Sequence, residues 1–404
     1  MGAVLALGGS AVVRAQAPPA AAASQTLTLD AAIERALAAN PSLAAARASR
    51  AVADAGLGVA GERPNPEIAY EAERETPRQA ISFSLPIELG GKRGKRLDLA
   101  RASVAATDAE IARTIAQIRN DVRRAYFDLA AANQRTAMAE DLRALAVRAR
   151  DAAQARFSAG DVPRLELLQT ELALADVDNE LSAARSEAQA LAAELNALLA
   201  QPLTTPVALA DQLGARPMPV LDDVVGTATR SNADLAVLDR RIDEQTARRA
   251  LADSMRHQDF TAGGAMTYDA QPEFSSGWRA SVAFTVPLFT SHRASVQVED
   301  AELRRLQSER AALVATMTGA VTAAHVRAAA ARDQVARFDA EILPRALEVE
   351  QMAQDGYSAG QTGLPQLITA LQQGRDIRRR RLDAALAYQR ALADLERAMG
   401  VPLR

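Results

Sequence analysis

The stretch Ile81-Ser82-Phe83-Ser84-Leu85-Pro86-Ile87-Glu88-Leu89-Gly90-Gly91-Lys92-Arg93-Gly94-Lys95-Arg96 changes its periodicity midway. Ile81, Phe83 and Leu85 alternate with Ser82 and Ser84, the period of two expected of a strand with one apolar and one polar face. After the two glycines, residues 92–155 contain no proline. Within that run Ile111, Ile115, Ile118, Val122, Tyr126 and Leu129 recur every three or four residues, a seam for a neighbouring helix. At ~1.5 Å per residue such a helix reaches roughly 95 Å. No compact domain holds a rod of that length, so it is a coiled-coil arm or the stave of a tube.

Just before this stretch, Ile68, Tyr70 and Ala72 alternate with Glu67, Glu71 and Glu73. Strands are therefore expected near 66–74 and 79–87, joined through Glu75-Thr76-Pro77-Arg78 as a hairpin. A second hairpin is expected near 259–269 and 277–288. There Phe260, Ala262, Met266 and Tyr268 share one parity, and Trp278, Ala280, Val282, Phe284 and Val286 alternate with Arg279, Ser281 and Thr285. Its link runs around Pro272-Glu273-Phe274-Ser275.

The two hairpins belong to a duplicated pattern. Leu29-Asp30-Ala31-Ala32-Ile33, leading to Asn40-Pro41-Ser42-Leu43, recurs as Leu221-Asp222-Asp223-Val224-Val225, leading to Asn232-Ala233-Asp234-Leu235. Phe83-Ser84-Leu85-Pro86-Ile87 recurs as Phe284-Thr285-Val286-Pro287-Leu288, and Phe157-Ser158-Ala159-Gly160 as Tyr357-Ser358-Ala359-Gly360. The matches keep their order. They predict a first repeat over 24–200 with long helices at 92–155 and 163–200, and a second over 221–404 with long helices at 290–356 and 364–400. The stretch 201–220, holding Pro202, Pro206, Pro217 and Pro219, is the natural linker.

Composition agrees with a mainly α chain carrying a small β part. Of 404 residues, 49% are hydrophobic but only 3% aromatic. Alanine and leucine supply the apolar content, with arginine and glutamate between them, all inexpensive to hold in a helix. Net charge is -3, which gives no global attraction to nucleic acid. With no cysteine, disulfides, thiolate catalysis and Cys-based zinc sites are excluded. His257, His292 and His325 have no ligand-like spacing. No nucleophile–base constellation, phosphate loop or metal cluster supports catalysis, and no cofactor is expected. Residues 1–23 resemble an incomplete signal peptide. The small apolar run 3–13 precedes Ala15-Gln16-Ala17, with Ala23 as a second cleavage position, but no basic residue leads it and Arg14 interrupts its end.

Four strands with an apolar face raise a closure problem. In lipid, unpaired edge groups cost several kcal/mol each, so membrane strands close into barrels. Single-chain barrels have at least about eight strands. Several chains must then share one barrel, and three copies of four strands make about twelve. A soluble sandwich of two hairpins is the alternative, and it leaves the long rods unexplained.

At this point the chain resembles the TolC-type outer membrane factors, the outer membrane efflux protein family, over about 28–400. The carrying motifs are the turns Arg156-Phe157-Ser158-Ala159-Gly160 and Gly356-Tyr357-Ser358-Ala359-Gly360, each between two long helices. Leu85-Pro86-Ile87-Glu88-Leu89-Gly90-Gly91-Lys92-Arg93 looks like the strand-to-helix junction of the CzcC-like heavy-metal cation efflux branch. The resemblance implies a homotrimer. Its twelve-stranded β-barrel, four strands per chain, sits in outer membrane lipid, and a long α-helical barrel continues it into the periplasm. It also implies a passive exit duct, not an enzyme, working with a periplasmic membrane-fusion adaptor and an inner-membrane resistance-nodulation-division pump.

The resemblance gives site residues too. Phe157, Ser158, Ala159, Gly160, Tyr357, Ser358, Ala359 and Gly360 would be the adaptor-docking tips. A glycine at a helix end takes the left-handed conformation and leaves a groove without side chains; as simple helix stops, the same glycines need no partner. Alignment on the two glycines places a periplasmic gate near Arg164, Glu166, Gln366 and Thr369. Gln366 and Thr369 stand where a family member has an acidic ring. From the residues themselves, Glu67, Glu71 and Glu73 would make a barrel lumen acidic, or merely solvate it. Lys92, Arg93, Lys95 and Arg96 would sit at the inner membrane surface, against lipid head groups or simply solvated. A duct for drugs or for type I protein secretion is the nearest alternative. A non-channel coiled-coil scaffold is the alternative of another class.

Overall fold

The computed structural model describes residues 26–403 apart from 76, 212, 215–217, 219, 271–273 and 360. The signal segment 1–23 and Gly360 thus lie outside the described residues. The first half runs α1 (Leu29–Ala39), α2 (Pro41–Gly61), β1 (Glu67–Ala72), β2 (Gln79–Ile87), α3 (Lys92–Ala159) and α4 (Arg164–Leu198). The second runs α5 (Leu221–Ser231), α6 (Ala233–Ser254), β3 (Phe260–Ala270), β4 (Phe274–Phe284), α7 (Arg293–Arg337), a π turn (Phe338–Ile342), α8 (Leu343–Ser358) and α9 (Leu364–Met399). The 68 residues of α3 correspond to a rod of about 100 Å.

The duplication has a structural basis in two asparagines. Asn40 ends α1 and starts α2, its Oδ1 accepting the Ser42 N–H at 2.9 Å. Its Nδ2 donates to the Leu198 carbonyl in the last turn of α4 at 3.2 Å. Asn232 does the same between α5 and α6: Oδ1 accepts the Leu235 N–H at 3.0 Å and Nδ2 donates to the Ala398 carbonyl of α9 at 2.8 Å. One side chain thus caps a helix start and a helix end at once.

The main core lies where α1, α3, α4 and α9 meet, around the buried Leu43, Tyr126, Phe127, Leu129, Leu195 and Leu386. Tyr126 and Phe127 pack edge to face with ring centres 5.4 Å apart. Tyr126 also locks the linker. Its hydroxyl donates to the Leu27 carbonyl at 2.7 Å, with Asp211 Oδ2 as a second acceptor at 3.1 Å, and accepts the Asp211 N–H at 3.0 Å. Asp211 Oδ2 in turn accepts the Leu29 N–H at 2.7 Å. A smaller core around Val224, Leu235, Val321 and Leu395 serves the second half.

Two elements differ from the sequence expectation. The helix expected over 290–356 is interrupted by the π turn Phe338–Ile342. Pro344 follows one residue after it; it has no N–H to give and crowds the carbonyl four residues back, and widening the preceding turn relieves both. The strand expected at 277–288 spans 274–284 instead. Phe284 pairs with Phe260, the first residue of β3, so Thr285–Leu288 find no ladder to join.

Ion pairs tie the rods together. The arginine-rich part of α9 pairs outward in several directions: Arg375 with Glu180 at 3.2 Å, Arg378 with Glu350 at 2.9 Å, and Arg381 with Asp339 at 2.8 Å. The Arg375 and Arg381 pairs are exposed and contribute up to about 1 kcal/mol each, so they align the rods more than they stabilise them, whereas the Glu350 carboxylate that meets Arg378 is buried.

Candidate functional site

The four strands form one antiparallel sheet in the order β1-β2-β3-β4, so the two hairpins join through β2 and β3. The register sorts the side chains by chemistry. Tyr70, Ile81, Met266 and Trp278 form one cross-strand row, and Ile68, Phe83, Gly264 and Ala280 another on the same face. The opposite face carries the rows Glu71, Ala80, Thr267, Gly277 and Glu67, Ser84, Gly263, Ser281. The apolar face is uncovered: Ile68 is 73% exposed, Trp278 83% and Phe284 72%. A continuous apolar surface of this size marks a contact with lipid or protein. Glu67 and Glu71 lie exposed on the polar face of β1. Glu73 lies past its end, where its N–H donates to the Arg78 carbonyl at 2.9 Å.

The basic cluster at the start of α3 is divided: Lys92 and Arg96 turn inward, while Arg93 and Lys95 are exposed. Lys92 is 6% exposed, and its Nζ donates to Asp259 Oδ2 at 2.8 Å while Asp259 Oδ1 accepts the Leu89 N–H at 2.8 Å. Arg93 Nε donates to the Gly61 carbonyl at 2.7 Å. Arg96 grips both oxygens of Glu88 and donates to the Glu62 carbonyl at 2.9 Å. Lys95 remains exposed. Partial burial pushes the Asp259 carboxyl up, but the hydrogen bonds from Lys92 and the Leu89 backbone outweigh it and hold the group below its ordinary value. Three of the four cations therefore bind the helix–sheet junction together. Asp259, the acid that makes this possible, stands far away in the sequence and carries no local signal.

At the other end of the rods, α3 stops at Gly160, whose φ of 82° is left-handed. The Asp161 N–H donates to the Arg156 carbonyl at 3.0 Å and the Gly160 N–H to the Phe157 carbonyl at 3.0 Å, closing the helix end. A Cβ on Gly160 would meet nothing within 4 Å, so the turn presents open space. In the second tip α8 ends on Ser358, with Ala359 as its cap.

The two tips touch. Arg156 in the last turn of α3 stands over the Tyr357 ring of α8, 5.8 Å from its centre, and its Nη1 donates to the Tyr357 hydroxyl at 3.3 Å. The same nitrogen pairs with Glu166 Oε1 at 3.2 Å, to which the Tyr357 hydroxyl also donates at 3.4 Å. Of the expected gate residues, only Glu166 enters this cluster. Arg164 is exposed in the first turn of α4, and Thr369 turns its hydroxyl onto the Pro365 carbonyl at 2.8 Å. Gln366 folds back toward Gly363, where an added Cβ would come within 2.9 Å of its Oε1. Arg156 is missing from the expected site residues. Its signal is an asymmetry of the repeat: the equivalent position in the second tip is Gly356.

Residues 32–201 match the family model described as outer membrane efflux protein. Over 349 residues the chain is 26% identical to the cobalt-zinc-cadmium resistance protein CzcC of Cupriavidus metallidurans, covering 84% of this chain and 81% of that protein. Among solved structures, the CmeC outer membrane channel of Campylobacter jejuni superposes with a TM-score of 0.77 at 16% identity, over 92% of this chain and 85% of that one. CusC, solved in a study of folding and transmembrane channel formation, superposes with a TM-score of 0.76 at 14% identity, over 92% of both chains.

Proposed function

We propose that this chain, whose residues 32–201 belong to the outer membrane efflux protein family, is the outer membrane duct of a tripartite efflux system. One observation carries the reading: an open four-stranded sheet with an uncovered apolar face stands on helical rods about 100 Å long. Neither sheet edge can remain open in lipid. Three copies, each built of repeats over 24–200 and 221–404 joined by the linker 201–220, close a barrel of about twelve strands. The apolar rows face outer membrane lipid, and the rows of Glu67 and Glu71 line a water-filled lumen. The rods continue the duct into the periplasm. Their tips at Phe157–Gly160 and Tyr357–Gly360 receive the adaptor, which links the duct to an inner-membrane pump. The chain is a conduit and catalyses nothing; energy and choice of cargo reside in the pump.

The cargo we propose is a heavy-metal cation, on the likeness to a cobalt-zinc-cadmium resistance protein across 84% of this chain. The acidic polar face of β1 suits a cationic cargo. A coiled-coil scaffold, the reading from another class, has no use for Trp278, Phe284 and Ile68 held outward on one sheet face. The test is complementation. Cells lacking their own duct receive this chain with its cognate pump and adaptor, and tolerance to cobalt, zinc and cadmium is scored. Restored tolerance is expected. Restored tolerance to drugs but not to metals would overturn the cargo, and a detergent-free soluble protein would overturn the duct.

A further inference from the structure

The charges on the polar face of the sheet are not evenly spread. β1 carries Glu67 and Glu71, and β4 carries Arg279, all exposed. On the inner strands the same parity holds Ser82 and Ser84 on β2 and Thr261 and Thr267 on β3, and its one charged residue is Asp269, next to the end of β3. Opposite charges therefore stand on the two strands that are edges within one chain. Because the order is β1-β2-β3-β4 with every neighbour antiparallel, β4 of one copy runs antiparallel to β1 of the next and can pair with it.

We propose that Arg279 on β4 of one protomer pairs across each barrel seam with Glu67 and Glu71 of the partner subunit, and that this pair sets the register in which copies join. The inference rests on the trimeric duct reading. Slipping the seam by one residue would turn Arg279 and its whole strand face toward lipid, so only even shifts are open. The strands of a closed membrane barrel tilt by about 35–45°, so the row Ala69, Ser82, Ala265, Arg279 does not return to Ala69 of the next copy but lands an even number of places along its β1. A shift of two sets Arg279 directly opposite Glu67 or Glu71 of the partner subunit, and a larger even shift of four sets it diagonal to one of them, within reach of a long side chain. A cation on β1 or an acid on β4 would instead place like charges at the seam.

The test uses the full chain extracted in mild detergent, with the trimer fraction followed on heating. An oligomer-free wild type would overturn both the duct reading and this inference. Given a wild-type trimer, Arg279→Glu is expected to lower the trimer fraction about tenfold at the wild-type half-dissociation temperature, and Glu67→Arg with Glu71→Arg to do the same. Joining all three changes should restore most of the loss. A trimer of Arg279→Glu as stable as the wild type, or a charge-swapped protein no better than Arg279→Glu, would overturn the seam pair and leave the duct reading standing. A second readout covers variants that fail to insert. The chain has no cysteine, so Arg279→Cys can be combined in turn with Glu67→Cys, Ala69→Cys and Glu71→Cys. Within one chain β1 and β4 are about 14 Å apart, two strands intervening, beyond the ~7 Å limit for a disulfide. Any disulfide formed must join two copies. Linked dimers and trimers are expected from at least one pair, and none from any pair in an intact trimer would refute the register.

Discussion

Arg156 and Tyr357, which end helices in different halves of the chain, are in contact: the guanidinium stands 5.8 Å from the ring centre and donates to the hydroxyl at 3.3 Å. Glu166 completes the cluster through both partners. The contact makes the two tips one unit. If it restrains the periplasmic mouth, Tyr357→Ala should release the second tip and raise the single-channel conductance of the trimer in planar bilayers. Tyr357→Phe keeps the ring under the guanidinium and should have the smaller effect. Unchanged conductance in Tyr357→Ala with Glu166→Ala would remove the cluster from the gate.

Gly160 tests docking separately from gating. Its φ is left-handed and no atom lies within 4 Å of a Cβ placed there. Asparagine tolerates this conformation better than other side chains, at a cost of about 1 kcal/mol or less at Gly160, so Gly160→Asn with Gly360→Asn should leave folding and trimer level close to wild type. A groove that receives an adaptor hairpin should nevertheless be blocked. Chemical cross-linking of adaptor to duct, measured beside surface trimer level, is expected to fall to background and resistance with it. Full cross-linking in the double variant would reduce the glycines to helix stops.

The sheet faces predict a contrast between neighbours in sequence. Phe83 lies on the apolar face and Ser82 on the polar one. Phe83→Arg should hinder insertion by ~2–4 kcal/mol near the bilayer midplane and less toward its surface. Ser82→Arg should be much milder. The measurement is the fraction of protein recovered as membrane-inserted trimer. Equal losses from the two variants would show the faces to be reversed.

Tyr126 provides a pH signature for the junction of linker and rod. Burial pushes its phenol up to about 12, from an ordinary 10.0. Its folded-state value is the higher, so its contribution to stability is complete below pH ~10 and fades as pH climbs through about 12. Thermal unfolding of the duct should show this loss. Tyr126→Phe should remove that component while lowering stability by roughly 1–3 kcal/mol at neutral pH, because the Asp211 N–H loses its acceptor. An alkaline profile identical in the variant would place the transition elsewhere.

Much of the architecture is legible in the sequence because it is set locally. Successive side chains on a strand point to opposite faces by covalent geometry, so the alternation of Ile68, Tyr70, Ile81 and Phe83 marks the strands and their sides. The proline-free run from 92 to 155 and the glycine at 160 bound the first rod by the same local rules. Asn40 and Asn232 are visible as repeated helix-joint residues, though their second role on the Leu198 and Ala398 carbonyls is not. The tertiary structure alone decides which hairpin edges meet, joining β2 to β3 and leaving Glu67 and Arg279 on opposite free edges. It alone brings Asp259 to Lys92, Arg156 to Tyr357, and a π turn in front of Pro344. The first two are contacts between residues well over a hundred positions apart. Period and propensity describe each element singly, and the partner across such a distance is chosen by how the finished elements pack.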